Sequence, residues 1–202
     1  MAIEIVQPNL LVVEGKEEEL FFGAFIKHLD LQNVQVMGIG GKTTLRRNLK
    51  ALTLSPHFAD VIFLGIVRDA NNDPGAAFQS VRDALHAVNL PAPECPLVPA
   101  GDSPRVAVMI LPEEGVAGML EDLCLGSVMQ DPAMYCVEQY FECLRREGLS
   151  LPDNMSKAKV QVFLASRPRA GLRLGEAAQA GYWPWDAEAF QQVRTFLQLI
   201  GS

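Results

Sequence analysis

The chain has 202 residues, 49% of them hydrophobic, and a formal charge of −7 at neutral pH. That is one domain of ordinary size with apolar content for a substantial core. The acidic balance argues against coating nucleic acid by bulk charge and leaves a local basic patch as the route to such a partner.

No apolar run approaches the roughly 20 residues that span a bilayer. Met1-Ala2-Ile3-Glu4 lacks the basic region that opens a secretory signal, so the expectation is a cytoplasmic protein without a membrane partner. Cys95, Cys124, Cys136 and Cys143 form no C-x-x-C pair and are expected as buried thiols in a reducing cytosol. His28, His57 and His86 are far apart and lack metal-ligand spacing.

Leu10-Leu11-Val12-Val13 predicts a buried strand, followed by Glu14-Gly15 and a helix over 17–29. In that helix Leu20, Phe21, Ala24, Phe25 and Leu29 recur at helical spacing and should face the core. A strand buried on both faces suits a parallel sheet with helices above and below. Glu14 then falls at the strand's carboxyl end, where open α/β sheets bind ligands. Glu18, one turn on, either complements the helix dipole or stands beside Glu14 as a ligand. Glu17 and Glu19 are expected to be solvated.

Residues 34–37 predict a second strand. It runs into Gly38-Ile39-Gly40-Gly41-Lys42-Thr43-Thr44, which approaches a phosphate-binding loop. The pattern G-x-x-x-x-G-K-[ST] needs a glycine where Val36 stands, so a nucleoside-triphosphate loop is rejected in favour of a tight strand-to-helix turn. Lys42, Arg46, Arg47 and Lys50 on the next helix form the one concentrated basic stretch. They are either a solvated face or, through Lys42, Arg46 and Arg47, a grip on a phosphate backbone.

Residues 61–67 give the clearest strand, ending in Arg68-Asp69-Ala70-Asn71-Asn72-Asp73. Residues 70–75 are turn chemistry, a helix follows over 74–88, and the proline-rich stretch 90–104 is an extended connection. A fourth strand over 105–111 leads through Glu113 and Glu114 to a helix over 118–128. Glu121 and Asp122 lie near its first turn, where acids complement the dipole.

A further helix over 131–147 carries Tyr135, Val137, Tyr140, Phe141 and Leu144 as its apolar set. Cys136 and Cys143 share a face expected in the core. Lys157 and Lys159 ride a helix over 156–164, and Arg167, Arg169 and Arg173 form a basic turn. Trp183 and Trp185 flank a proline, where they would either stack bases or pin the terminal segment to the core; a closing helix runs through residue 200.

Two of these stretches carry a resemblance. Glu14-Gly15-Lys16-Glu17-Glu18 after the first strand, with an Asp-x-Asp-like element at Asp69-Ala70-Asn71 after the third, resembles the Toprim domain of topoisomerases, primases and overcoming-lysogenization-defect nucleases. Met109-Ile110-Leu111-Pro112, Gly118-Met119-Leu120-Glu121-Asp122 and Lys157-Ala158-Lys159 extend it over most of the chain. The whole is most similar to a small standalone prokaryotic Toprim-like family.

The resemblance implies a single α/β domain over 1–202. It would be a three-layer α/β/α core with a mainly parallel sheet over about 8–128, and a helical extension over about 129–202. It implies a Mg²⁺ or Mn²⁺ site with Glu14 and Asp69 at its centre, Glu18 and Glu121 as further carboxylates, and Asn71 and Asp73 at the turn. Lys157 or Lys159 would neutralise charge near a scissile phosphate. With Glu14 and Asp69 these lysines would be the catalytic residues of a nuclease acting on nucleic acid.

The chain departs from the pattern at Asn71, which offers an oxygen but no charge and so weakens a second metal in particular. For Asn71 and Asp73 the residues themselves favour a turn role. Tyr135, Tyr140 and Tyr182 lack the context of a topoisomerase nucleophile, and the regions a primase needs are absent. The alternative is a non-catalytic Toprim-like module that binds nucleic acid or a nucleotide. A receiver-like domain with Asp69 as phosphoacceptor fits less well, because Glu14-Gly15 is a poor match for that fold's paired acids.

Overall fold

The computed structural model describes residues 4–41 and 44–201. Four parallel strands form one sheet in the order β2-β1-β3-β4, with β1 Asn9–Val13, β2 Val34–Gly38, β3 Phe63–Asp69 and β4 Arg105–Leu111. Helices cover both faces, giving the three-layer α/β/α architecture expected from the sequence. β1 is buried along its whole length, as its four-residue apolar run requires.

Alternation along the strands sorts the core into two clusters. Leu10, Val12, Leu64, Ile66, Val106, Val108 and Ile110 face α2 (Leu45–Thr53) and α3 (Pro74–His86). Leu11, Val13, Phe63, Val67, Ala107, Met109 and Leu111 face α1 (Lys16–His28) and the later helices. Those are α4 (Leu120–Ser127), α5 (Pro132–Arg146), α6 (Met155–Ala165), α7 (Leu174–Gln179) and α8 (Gln191–Gly201).

Gly65 sits mid-strand because α8 lies there. A β-carbon at residue 65 would come within 2.4 Å of the Ile200 Cδ1. Among the described residues no helix is long and apolar enough to cross a membrane.

Several sequence expectations need correction. Only Cys124 is buried; Cys95, Cys136 and Cys143 are exposed. The stripe of α5 that packs inward is Met134, Val137 and Phe141, spaced three and four residues apart. Cys136, Tyr140 and Cys143 form the adjacent stripe, and Tyr135 and Tyr140 face solvent. An apolar set that included both tyrosines was too wide for one helix face.

Glu17 is not solvated either, since its Oε2 accepts a hydrogen bond from the Gly175 amide at 2.8 Å. The two tryptophans pin the terminal segment. Trp183 is buried against the Phe163 ring and donates its indole N–H to the Leu174 carbonyl at 3.1 Å, while Trp185 stacks on Phe25 with ring centres 4.6 Å apart.

Candidate metal and phosphate site

β1 and β3 are hydrogen-bonded parallel neighbours, with Val12 opposite Ile66. Glu14 and Asp69 therefore leave the sheet at the same edge. The chain also divides there: β1 leads to α1 on one face and β3 to α3 on the other. A switch of this kind opens a crevice between the two strand ends, the place where open α/β sheets bind ligands.

The connection after β4 is drawn into this crevice by backbone bonds. The Asn71 N–H donates to the Gly118 carbonyl and the Gly118 N–H to the Asn71 carbonyl, both at 2.7 Å. That clasp sets the first turn of α4 against the end of β3. The Leu120 amide then donates to the Asp69 Oδ1 at 3.0 Å, and Glu121 follows on the same turn.

Asp122 secures the other side. Its Oδ2 accepts the Met119 N–H at 2.9 Å and its Oδ1 the hydroxyl of Ser156 on α6.

Four carboxylates consequently share one low-dielectric region. Burial pushes the Asp69 carboxyl up to about 7, with Glu14, Glu18 and Glu121 adding to the rise and the Leu120 hydrogen bond opposing it. Glu18 is raised too, by burial first and then by Glu14 and Glu121, against two backbone hydrogen bonds. Glu14, Glu18, Asp69 and Glu121 are thus brought together.

The other two proposed ligands serve the turn. Asn71 has a left-handed backbone, φ 51°, and its side-chain amide points back to the Asp69 carbonyl at 3.5 Å. The Asp73 Oδ1 caps α3 by accepting the Ala76 N–H at 2.8 Å.

The two lysines separate. The Lys157 Nζ stands 3.9 Å from the Glu121 Oε1 and remains 57% exposed. Lys159 turns to α5 and pairs with Glu138 at 2.6 Å, so it does not join the acids. Arg46 and Arg47 are exposed on α2, and the Arg47 Nε donates to the Asn48 Oδ1 at 3.2 Å. Lys42 lies outside the described residues.

The residue that sequence reading missed is Arg68, which is only 3% exposed. Its Nε lies 2.6 Å from the Glu14 Oε1, yet the N–H is not aimed at that oxygen. The contact is an ion pair without a hydrogen bond, and the Arg68 Nη1 has no partner. The available signal was strand alternation, which puts Arg68 on the inward face with Leu64 and Ile66. Gly41 closes over the same glutamate: a β-carbon there would lie 2.9 Å from the Glu14 Oε2.

An all-oxygen donor set of carboxylates suits a hard divalent cation such as Mg²⁺ or Mn²⁺. The raised Asp69 carboxyl marks an acid that is buried first of all and set among like charges besides. In the positions they hold, no three His, Cys, Asp or Glu side chains among the described residues close on one ion. The donor chemistry therefore fits the cation, and closing on it requires side-chain movement.

A family model described as "Protein of unknown function (DUF3226)" matches residues 8–201. No curated protein matches the sequence. Solved structures that share the fold include two from different organisms. The C-terminal region of the Xanthomonas campestris pv. campestris OLD protein superposes with a TM-score of 0.52 at 18% identity, covering 96% of this chain and 94% of that one. The corresponding region of the Burkholderia pseudomallei OLD protein gives 0.51 at 12% identity, covering 98% and 100%. At these identities the likeness is one of fold.

Proposed function

The chain belongs to the DUF3226 family, and we propose that it is a Toprim-like hydrolase that cleaves phosphodiesters of nucleic acid with Mg²⁺ or Mn²⁺. The observation that carries this reading is the meeting of Glu14, Glu18, Asp69 and Glu121 at the strand ends, with Asp69 driven to about 7. The motif resemblance and the fold shared with OLD C-terminal regions support it.

Glu14, Asp69 and Glu121 would hold the cation, with Glu18 beside them. A cation held there would polarise a phosphoryl oxygen and orient a water for attack. The chain's own groups prepare the site. The Leu120 amide fixes one oxygen of Asp69, and the Asn71–Gly118 clasp holds Glu121 in reach. Arg68 restrains Glu14, and the exposed ammonium of Lys157 offers positive charge to a phosphate arriving next to Glu121. Asn71 withholds one negative charge, which favours chemistry with a single ion.

A second reading, a non-catalytic module that binds nucleic acid or a nucleotide, draws on Arg68. That guanidinium gives Glu14 a permanent counter-ion, and Asn71 subtracts an acid.

The test incubates the pure protein with plasmid, single-stranded DNA and RNA, each with Mg²⁺ or Mn²⁺. Cleavage should fall more than about a hundredfold in Asp69→Ala and about tenfold in Lys157→Ala, while Lys159→Ala cleaves like the parent. Metal binding by calorimetry without cleavage above the Asp69→Ala control establishes the module instead.

A further inference from the structure

Beside Glu121 a cleft of about 500 Å³ opens between α1, α6 and α7. Its walls are largely aliphatic: Val160 and Leu164 from α6, Leu172 and Leu174 from the segment entering α7. α7 closes one side by lying directly on α1, where a β-carbon at Gly175 would come within 2.6 Å of the Glu17 carbonyl oxygen. Two cations stand at the rim. Lys157 is 3.9 Å from Glu121, and Arg173 is 4.0 Å from Glu17 and 79% exposed, so neither is tightly held. Gln161 adds an exposed amide to the lining.

A cavity of this size, apolar with a few polar groups converging on it, is the usual form of a small-ligand site. Its chemistry is graded. The end that shares Glu121 and Lys157 with the acid cluster suits a phosphate, which the exposed Lys157 ammonium can meet. The apolar interior suits a flat, uncharged ring system, and Gln161 can both donate to and accept from a ring edge. The lining balances Lys157 and Arg173 against Glu121 and Glu17, but at 3.9 and 4.0 Å both pairs are loose, so either cation can turn to an anion that brings an apolar body into the cleft.

We infer that this cleft receives a nucleobase whose attached phosphate lies at Lys157, so that the unit recognised is a nucleoside phosphate. This rests on the hydrolase reading only for the position of the phosphate. A base can enter the cleft only if it is unpaired, so the site selects single-stranded ends or free nucleotides over duplex.

The experiment measures binding rather than cleavage, which keeps the two readings separable. The full chain with Mn²⁺ is titrated with 5′-mononucleotides, with ribose 5-phosphate, and with a phosphorothioate-linked single-stranded oligonucleotide. Nucleotide or oligonucleotide should bind at least about tenfold more tightly than ribose 5-phosphate, because only they carry the ring that fills the cleft. Binding by the oligonucleotide alone identifies a strand as the source; binding by both admits the free nucleotide.

Ala165→Leu, an aliphatic filler at an exposed position on the cleft wall, should weaken base-dependent binding about tenfold and leave Mn²⁺ binding as it was. Gln161→Ala, a surface change that leaves the core untouched, should alter the ranking of the four bases. Equal affinity for ribose 5-phosphate and nucleotide, or an Ala165→Leu protein that binds both as the parent does, overturns the cleft assignment. Neither result bears on cleavage at the acid cluster.

Discussion

Asp69 and Asp131 are two aspartates that the fold treats in opposite ways. Both accept a backbone hydrogen bond at the start of a helix, Asp69 from Leu120 of α4 and Asp131 from Ala133 of α5. At Asp131 burial pushes the carboxyl up, but Arg167 and the Ala133 amide outweigh it and the net shift is downward. Arg167 meets it fork to fork, at 3.0 and 3.1 Å. At Asp69 burial also pushes upward, three glutamates push the same way, and only one hydrogen bond resists.

The nearby arginine does not help Asp69. Arg68 adjoins it in sequence but turns to Glu14, with its N–H misaligned and its Nη1 unpartnered. A carboxylate that serves structure is matched inside the chain. One left unmatched among like charges is stable only with a proton or a cation from outside, which is why the strand-end cluster reads as a site and the start of α5 does not.

Removing Arg68 should break the comparison most severely. Arg68→Met deletes a buried cation and leaves Glu14 without its counter-ion among the other acids. The cost expected by chemical denaturation at pH 8 is on the order of 3 kcal/mol. Excess Mg²⁺ or Mn²⁺ should recover much of it, because a divalent ion supplies the missing charge. A loss that metal does not touch would make Arg68 a packing residue and remove the electrostatic link to Glu14.

Asp69→Asn sharpens the comparison through pH. The folded-state value of about 7 lies above the ordinary 3.8, so between those two pH values the folded protein holds a proton that the unfolded chain has released. Stability in this window therefore declines as pH rises, and above about 7 the full cost of the charge is present. A displacement of that size corresponds to something on the order of 4 kcal/mol at most.

Asparagine keeps an acceptor for Leu120 and carries no charge. The metal-free variant should be more stable than the parent at pH 8 and close to it only near pH 4, with the gap at pH 8 narrowing when Mg²⁺ is added. An Asp69→Asn protein that is less stable than the parent at pH 8 would show that Asp69 is not a strained anion.

The layers and the parallel sheet were legible because Leu10–Val13 and Val106–Leu111 are apolar without interruption and helical spacing separates them. β3 was displaced by two residues. The apolar run begins at Val61, but Ile62 is 58% exposed, and the strand continues through Arg68 to Asp69. Taking a charge as the end of a strand hid Arg68, whose alternation with Leu64 and Ile66 carries it inward.

Glu14 and Asp69 were placed by their strand ends, and the motif order of the resemblance singled out Asp69 as more than a turn aspartate. Glu121 came from resemblance, since nothing local announces that the Asn71–Gly118 bridge will draw α4 to β3. The six residues of α7 show too little periodicity to predict, so the cleft they help enclose was invisible. Lys157 and Lys159 are chemically alike in sequence, and only the tertiary positions of Glu121 and Glu138 tell them apart.

Asp131→Ala gives the smallest effect and tests the other half of the comparison. The variant loses a helix cap and the partner of Arg167, which should cost about 1–2 kcal/mol at neutral pH. The sign of its pH dependence is opposite to that at Asp69. The folded-state carboxyl titrates below its ordinary value, so its contribution is present above about pH 4 and fades as acid protonates it in the fold.

The parent and Asp131→Ala should therefore converge in thermal stability toward pH 3 and diverge at pH 7, whereas the parent and Asp69→Asn converge in mild acid and diverge in base. Mg²⁺ should leave the Asp131→Ala difference unchanged, because Arg167 already supplies the charge that a cation would bring. A metal response at Asp131 equal to that at Asp69 would mean that the ion binds acids wherever they lie on this chain. The strand-end cluster would then lose its claim to be a distinct site.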